Sequence, residues 1–336
     1  MKKIILSLLI VTSMQSCSQK PETMINQNPN ITANNIVDEI AKQVVHYPSE
    51  KIFKIKYSND ACYFEMYVNG VRVYKKSNRV LGNTAVEINH LLFFKSRKCT
   101  VTYKMYPMFE TKEYPKILNT FVDETDLELI LKSYDLKNEE ADDIEYIKHK
   151  APQKEEKVIP DYSRYKFAEA GKTYYEGSFD FDVAVPYELH PPFENAQDLR
   201  KLDPKQLEAK LLKKYKEVWN VYQNKEYDNI ARLEYSALKD LYVSNYDSKE
   251  IINENISILF DKIYNRTTFQ MQPIEKYKIE FFANGKMAAL MQDTKDNRFR
   301  GNNALWAKVD YDGGLRPYFL NIHCYIPEGE TEFKVY

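Results

Sequence analysis

The hydrophobic pattern of this 336-residue chain changes period twice, and the two changes divide it. Over residues 36–193 the period is two: Ile52-Phe53-Lys54-Ile55-Lys56-Tyr57 alternates, and so does the run from Cys62 to Val68. Successive side chains of a strand point to opposite faces, so alternation predicts half-buried strands. Asn69-Gly70 separates the second run from Val71-Arg72-Val73-Tyr74. Both residues tolerate the positive φ of a type I′ turn, which predicts a hairpin. Further alternating runs at 85–94, 99–106, 127–131 and 179–185 predict an antiparallel β-sandwich, immunoglobulin-like or jelly-roll, over 36–195. The charged stretch 135–160 breaks the pattern and predicts an exposed excursion between strands.

Pro186, Pro191 and Pro192 close the alternating region. Asp203 followed by Pro204 predicts a helix start, a capping side chain and then a residue whose missing N–H costs nothing there. Leu207, Leu211, Tyr215, Val218, Trp219 and Tyr222 share one helical face. Two more helices are expected at 227–242 and 248–264. Strands return after Pro273, with a second Asn-Gly hairpin at Asn284-Gly285 and another around Gly313-Gly314. The fold class expected is therefore multidomain, mainly β plus α+β, with helices packed on a curved antiparallel sheet over 196–336. This order of elements, with Tyr215, Trp219 and Tyr222 on one helix and Ala304-Leu305-Trp306 in a hairpin, resembles the NTF2-like superfamily. That superfamily has no universal catalytic residues, so the resemblance implies a cavity-bearing fold and no specific chemistry.

The first seventeen residues predict where the protein works. Lys2 and Lys3 precede an apolar run over 4–14 that is too short to cross a bilayer, and small Ser16 precedes Cys17. The stretch resembles the lipobox signal of bacterial lipoproteins, with Met14 where Leu is usual. The resemblance implies a signal peptide over 1–16, lipidation at Cys17 and a membrane partner through that anchor. It also implies a place in the cell envelope, at the outer membrane facing the periplasm. Polar residues over 17–35 predict a flexible tether. A formal charge of -1 with interspersed signs gives no reason to expect nucleic acid.

Residues that could carry chemistry are few. Cys62 and Cys99 are each in phase with the apolar residues of their runs. In an oxidising compartment they could bridge or remain buried thiols. The five histidines show no metal-ligand spacing with each other or with cysteine, so no metal and no cofactor is expected. His323, beside Asn321 and Tyr325, is the one candidate acid–base group if the C-terminal sheet encloses a cavity. Among 27 tyrosines, Tyr63, Tyr67, Tyr74 and Tyr106 sit off the apolar phase and are candidates for a binding surface. The reading they support is a non-enzymatic, lipid-anchored protein that binds a protein partner, on the general plan of immunity lipoproteins. Two alternatives stay open. One is a small-molecule binder, hydrolase or isomerase using a C-terminal cavity; the other is a glycan-binding or scaffold lipoprotein.

Overall fold

The computed structural model describes residues 25–76, 82–93, 96–108, 119–159, 162–294, 296, 298–311 and 313–336. Ten strands fill the first half: β1 (Lys51–Asp60), β2 (Cys62–Val68), β3 (Val71–Lys76), β4 (Gly82–Glu87), β5 (Ser96–Pro107), β6 (Asp126–Asp135), β7 (Ile144–Lys150), β8 (Gln153–Ile159), β9 (Tyr162–Phe167) and β10 (Tyr175–Ala184). They form two four-stranded antiparallel sheets, ordered β4-β1-β6-β7 and β10-β5-β2-β3, and a separate β8-β9 hairpin. Ala61, at φ 49°, is the single residue by which the chain leaves one sheet for the other. In β1, Ile55 and Tyr57 are buried while Lys56 and Ser58 are exposed, as the alternation requires. Rings then join the sheets: Tyr57 lies 5.0 Å from Phe64 and 4.9 Å from Tyr74, and His149 of β7 stacks 4.7 Å from Phe179 of β10.

The second half holds α2 (Pro204–Gln223), α3 (Tyr227–Ser244) and α4 (Lys249–Ser257), which continues as a π-helical segment, Ile258–Tyr264. A short helix near the N-terminus, α1 (Ile36–Ala41), packs Ile36 and Ile40 against Ala231 and Ile252 of α3 and α4. Asp203 caps α2 by accepting from the Gln206 N–H at 2.9 Å, with Pro204 at the first turn. Seven strands follow: β11 (Gln270–Met271), β12 (Tyr277–Phe282), β13 (Met287–Gln292), β14 (Trp306–Tyr311), β15 (Gly314–Phe319), β16 (Cys324–Tyr325) and β17 (Lys334–Val335). They are ordered β11-β14-β15 and β12-β13-β16-β17, and a bridge between Met291 and Asn303 links the two groups. One helix residue ties them together. The Tyr215 hydroxyl donates to the Ile322 carbonyl (3.1 Å) and accepts from the Leu290 N–H (2.9 Å) and the Asn303 amide (3.2 Å). The chain is thus mixed, mainly β with an α+β second half.

One hydrophobic cluster runs through both halves. At the seam the two Asn-Gly turns meet: the Gly70 carbonyl accepts from the Ala283 N–H at 3.0 Å. Gly70 (φ 77°) is required twice over, because a Cβ there would lie 3.2 Å from the Ala283 nitrogen. Tyr67 stacks 6.4 Å from Phe282, and the Arg300 guanidinium lies 4.1 Å above the Tyr106 ring.

Several expectations need correction. Tyr63 and Tyr67 are buried, not displayed, and Tyr74 and Tyr106 are half-buried. The outer face of β2 and β5 is covered by the chain's own second half, which uses up the amphipathic rings. Cys62 and Cys99 are free thiols. Cys62 faces Pro107 at one end of β5 and Cys99 sits near the other, about 25 Å away at the usual strand rise, far beyond the reach of a disulfide. The 135–160 stretch contains β7 and β8. Both are exposed along most of their length, so no apolar alternation marks them. The run at 85–94 ends early, and Asn89–Leu91 is a short 3-10 turn. Within the expected tether, residues 25–35 are folded on the body: Gln27 exchanges hydrogen bonds with Val335, and the Asn28 amide donates to the Arg232 carbonyl at 2.8 Å. Cys17 lies outside the described residues.

Candidate ligand cavity at the seam

A cavity of about 370 Å³ opens between the two halves. One wall is β3, the last strand of its sheet. Tyr67 faces Arg72 and Met66 faces Tyr74, which leaves Val73 unpaired as a bulge. A bulge re-aims the side chains on either side of it, and here Val71 to Lys75 all line the cavity. Leu238 and Leu241 of α3 form the opposite wall, with His90 and Leu91 from the 3-10 turn and His323, Asn321 and Tyr336 from the C-terminal segment.

The charged side chains lining this space are Arg72 and Lys75. Arg72 donates to the Gly301 carbonyl, and its nearest carboxylate contact is Glu65 at 4.0 Å. Glu65 itself accepts from the Tyr67 hydroxyl at 2.8 Å. The Lys75 ammonium donates to the Asn302 side-chain carbonyl at 3.3 Å. Burial, and then the Arg72 charge, push Lys75 down to about 8. Burial holds His90 down to about 4, and its Nδ1 is sealed from solvent without a hydrogen-bond partner. His323 is pushed down to about 3 by burial and by Arg72, and its ring meets Phe282 edge-on at 4.6 Å. Neither ring carries charge at neutral pH. Among the residues lining the cavity there is no Asp or Glu.

A second chamber of about 170 Å³ shares Ala237, Leu238, Asn321 and Tyr336 with the first. Its polar centre is Glu234, whose Oε1 accepts from the hydroxyls of Tyr222 (2.7 Å) and Tyr264 (2.6 Å). Glu234 Oε2 is buried without a partner, and burial raises the carboxyl above its ordinary range. Tyr264 packs edge-on against Tyr222 and Tyr318 at 5.3 and 6.0 Å. Two larger surface concavities, about 590 Å³ each, each contain an ion pair, Lys249 with Asp38 at 2.6 Å in one and Lys150 with Asp126 at 3.5 Å in the other.

Of the residues singled out from sequence, the structure brings His323 and Tyr74 to the seam cavity. Tyr63, Tyr67, Tyr106, Cys62 and Cys99 do not line it. Arg72, Lys75, His90 and Glu234 were not anticipated. Glu234 had a signal, since it lies four residues from both Ile230 and Leu238 on the apolar stripe of α3. Among the described residues, no group of three or more His, Cys, Asp and Glu is placed to hold a metal ion. No family model, no curated protein and no solved structure matches this chain.

Proposed function

We propose that this chain is a lipid-anchored protein of the cell envelope that binds a small ligand, without transforming it, in the cavity at the seam. The observation that carries the reading is the 370 Å³ space in which donors converge between the two halves. Ligand sites favour such junctions, with an apolar lining and a few fixed polar groups. His323 supports binding over catalysis: burial holds its ring down to about 3, so at neutral pH it is a neutral hydrogen-bonding group and a weak base. The architecture belongs to the same proposal. Two four-stranded sheets joined by aromatic contacts suit a β-sandwich over 36–195, and helices laid on strands suit an NTF2-like domain over 196–336. Anchoring at Cys17, in the outer membrane facing the periplasm, completes it. Cys17→Ala is expected to move the protein to the soluble fraction or block its processing.

Native mass spectrometry of protein taken from its own membranes tests the reading. Wild type should retain a small molecule that denaturation releases, and a folded Leu241→Trp variant, with an indole filling the cavity, should not. Equal retention by both proteins, or no retained molecule in either, would sink it.

A second reading, a protein partner of the kind immunity lipoproteins have, rests on the β8-β9 hairpin. Val158, Ile159, Tyr162 and Tyr165 are exposed there by 51%, 60%, 57% and 69%, large apolar side chains of the kind found at contact surfaces. A photo-crosslinker at Tyr165 should capture one defined envelope protein, and Ile159→Lys should abolish the capture. Labelling that is diffuse, or unchanged by the substitution, removes this reading.

A further inference from the structure

We propose that the tyrosine chamber is a second binding site, one that takes a small organic ammonium with an N–H on Glu234 and its apolar body among the rings. The inference goes beyond the seam reading and does not depend on it. The hydroxyls of Tyr222 and Tyr264 both donate to Glu234 Oε1, at 2.7 and 2.6 Å. Oε2 is buried with no hydrogen-bond partner among the described residues. Neither protonation state closes that gap. In the neutral acid the tyrosines occupy Oε1, so the proton stands on Oε2 and has no acceptor. In the carboxylate, Oε2 is an acceptor with no donor. Buried polar atoms are normally answered, and one left open on the wall of a chamber points to a ligand that answers it.

A cation is favoured by the rest of the lining. No Lys, Arg or His lines the chamber. The forces on the Glu234 carboxyl are burial, which raises it, and the two tyrosine hydrogen bonds, which favour its charged form. Lys239, on the same helix, is engaged with Asp240 at 3.1 Å. Tyr222, Tyr264, Tyr318, Phe319 and Tyr336 bring five rings to one small space. A cation over an aromatic face is attracted by the ring, more strongly where water is excluded. A metal ion would leave those rings unused and would find one carboxyl group where it needs several oxygens. A cavity of about 150 Å³ accepts a benzene-sized guest, so the 170 Å³ here has room for an amine of about seven heavy atoms. Because Oε2 calls for a donor, the nitrogen keeps at least one N–H.

Binding also moves a proton. The titratable groups around Glu234 are Tyr222 from α2, Tyr264 from the π-helical segment, Tyr318 from β15 and Tyr242 from its own helix. Burial raises each of these hydroxyls above the ordinary value, so none ionises at neutral pH. Tyr336 donates instead to Asp240, at 2.9 Å. A bound ammonium favours the Glu234 carboxylate, and binding expels a proton wherever the free carboxyl is neutral. Affinity for an amine therefore rises with pH through the raised carboxyl range and levels off above it.

Titration calorimetry on the full chain, with cyclohexylamine and cyclohexanol, decides the matter, since the two probes match in shape and differ in charge. At pH 8 the amine should bind at least about tenfold more tightly than the alcohol, the gap expected of a desolvated charge pair. Between pH 5 and pH 8 the amine should gain about tenfold, while the alcohol changes by less than about twofold. Glu234→Gln should weaken the amine about tenfold or more and leave the alcohol within about twofold. An alcohol that matches the amine at every pH would overturn the cation. An amine held equally well by Glu234→Gln would overturn the site. If neither probe binds, the chamber is no ligand site, and the seam reading still stands or falls on its own retained molecule. The pH series uses wild-type protein, so it decides even if Glu234→Gln folds poorly.

Discussion

Two chambers share a wall of Ala237, Leu238, Asn321 and Tyr336, and they carry opposite polarity. The tyrosine chamber holds one carboxyl group and supplies its own donors, Tyr222 and Tyr264, within 2.7 Å. The seam cavity is lined by two basic residues, Arg72 and Lys75, with the Glu65 carboxylate 4.0 Å from Arg72. A buried polar group must be answered from somewhere, because leaving it unanswered costs about 1–3 kcal/mol, and more when it is charged. In the tyrosine chamber the answer comes from two neighbouring hydroxyls; at the seam Arg72 and Lys75 donate to Gly301 and Asn302, brought there by the second half of the chain. The contrast separates polar groups paired inside one half of the chain from polar groups paired across the seam between the halves.

Breaking the tyrosine chamber should produce the largest effect. Glu234→Leu leaves two buried hydroxyls without an acceptor, and a loss of about 3–5 kcal/mol is expected. Urea denaturation of the folded variant reads this directly. A loss below about 1 kcal/mol would mean the tyrosines re-pair, and the two chambers would no longer differ in kind. Glu234→Gln keeps an acceptor at Oε1 and should cost much less.

The turn contact that frames the seam comes next. Gly70→Val sets a β-branched side chain at φ 77°, 3.2 Å from the Ala283 nitrogen, and should cost about 2 kcal/mol or more. It should also loosen the cavity, raising hydrogen exchange at His323 and Asn302 before the tyrosine chamber responds. Simultaneous loosening of both chambers would show that they open as one unit.

Parts of this arrangement were legible in the sequence and parts were not, for physical reasons. Asn69-Gly70 and Asn284-Gly285 marked both turns, because positive φ at consecutive positions demands those residues. Asp203-Pro204 fixed the start of α2, since capping is local chemistry. β7 escaped notice because this edge strand buries little: only Ile147 and His149 are half-buried, too few to write an apolar alternation. The tyrosines misled for a related cause: a strand face that reads as amphipathic suits solvent, a partner or another part of the same chain equally well. Arg72 looks like an outward position of an ordinary hairpin, Lys75 changes phase only through the bulge at Val73, and the docking of the second half encloses both. Sequence periodicity reports one strand or helix at a time, whereas the seam is made by residues more than 200 positions apart.

Opposite polarity also means opposite response to pH. The Glu234 carboxyl is raised in the fold, so the native state holds its proton more tightly than the unfolded chain does. Its contribution is present below the ordinary carboxyl value and is lost as pH rises through the raised one. Gln resembles the protonated carboxyl at every pH, so the stability curves of wild type and Glu234→Gln should run parallel on the acid side and separate as pH rises, the wild type losing stability relative to the variant. The same divergence at pH 4 and pH 8 would mean that Glu234 is ionised in both states.

Lys75 should give the smallest effect at neutral pH and the opposite slope. Its ammonium is pushed down from an ordinary value of 10.5 to about 8, so between those limits the unfolded chain binds more protons than the native state. Stability conferred through this group then rises with pH from about 8 upward, and at pH 7 the charged lysine is a burden on the ligand-free protein. Lys75→Met removes the burden while keeping most of the stem's apolar packing. It should leave stability unchanged or raise it by up to about 1 kcal/mol at pH 7, an advantage that shrinks by pH 10. A Lys75→Met variant that is less stable at pH 7 without ligand would place the ammonium among the groups that hold the fold together, as in the tyrosine chamber, and would erase the distinction between the two.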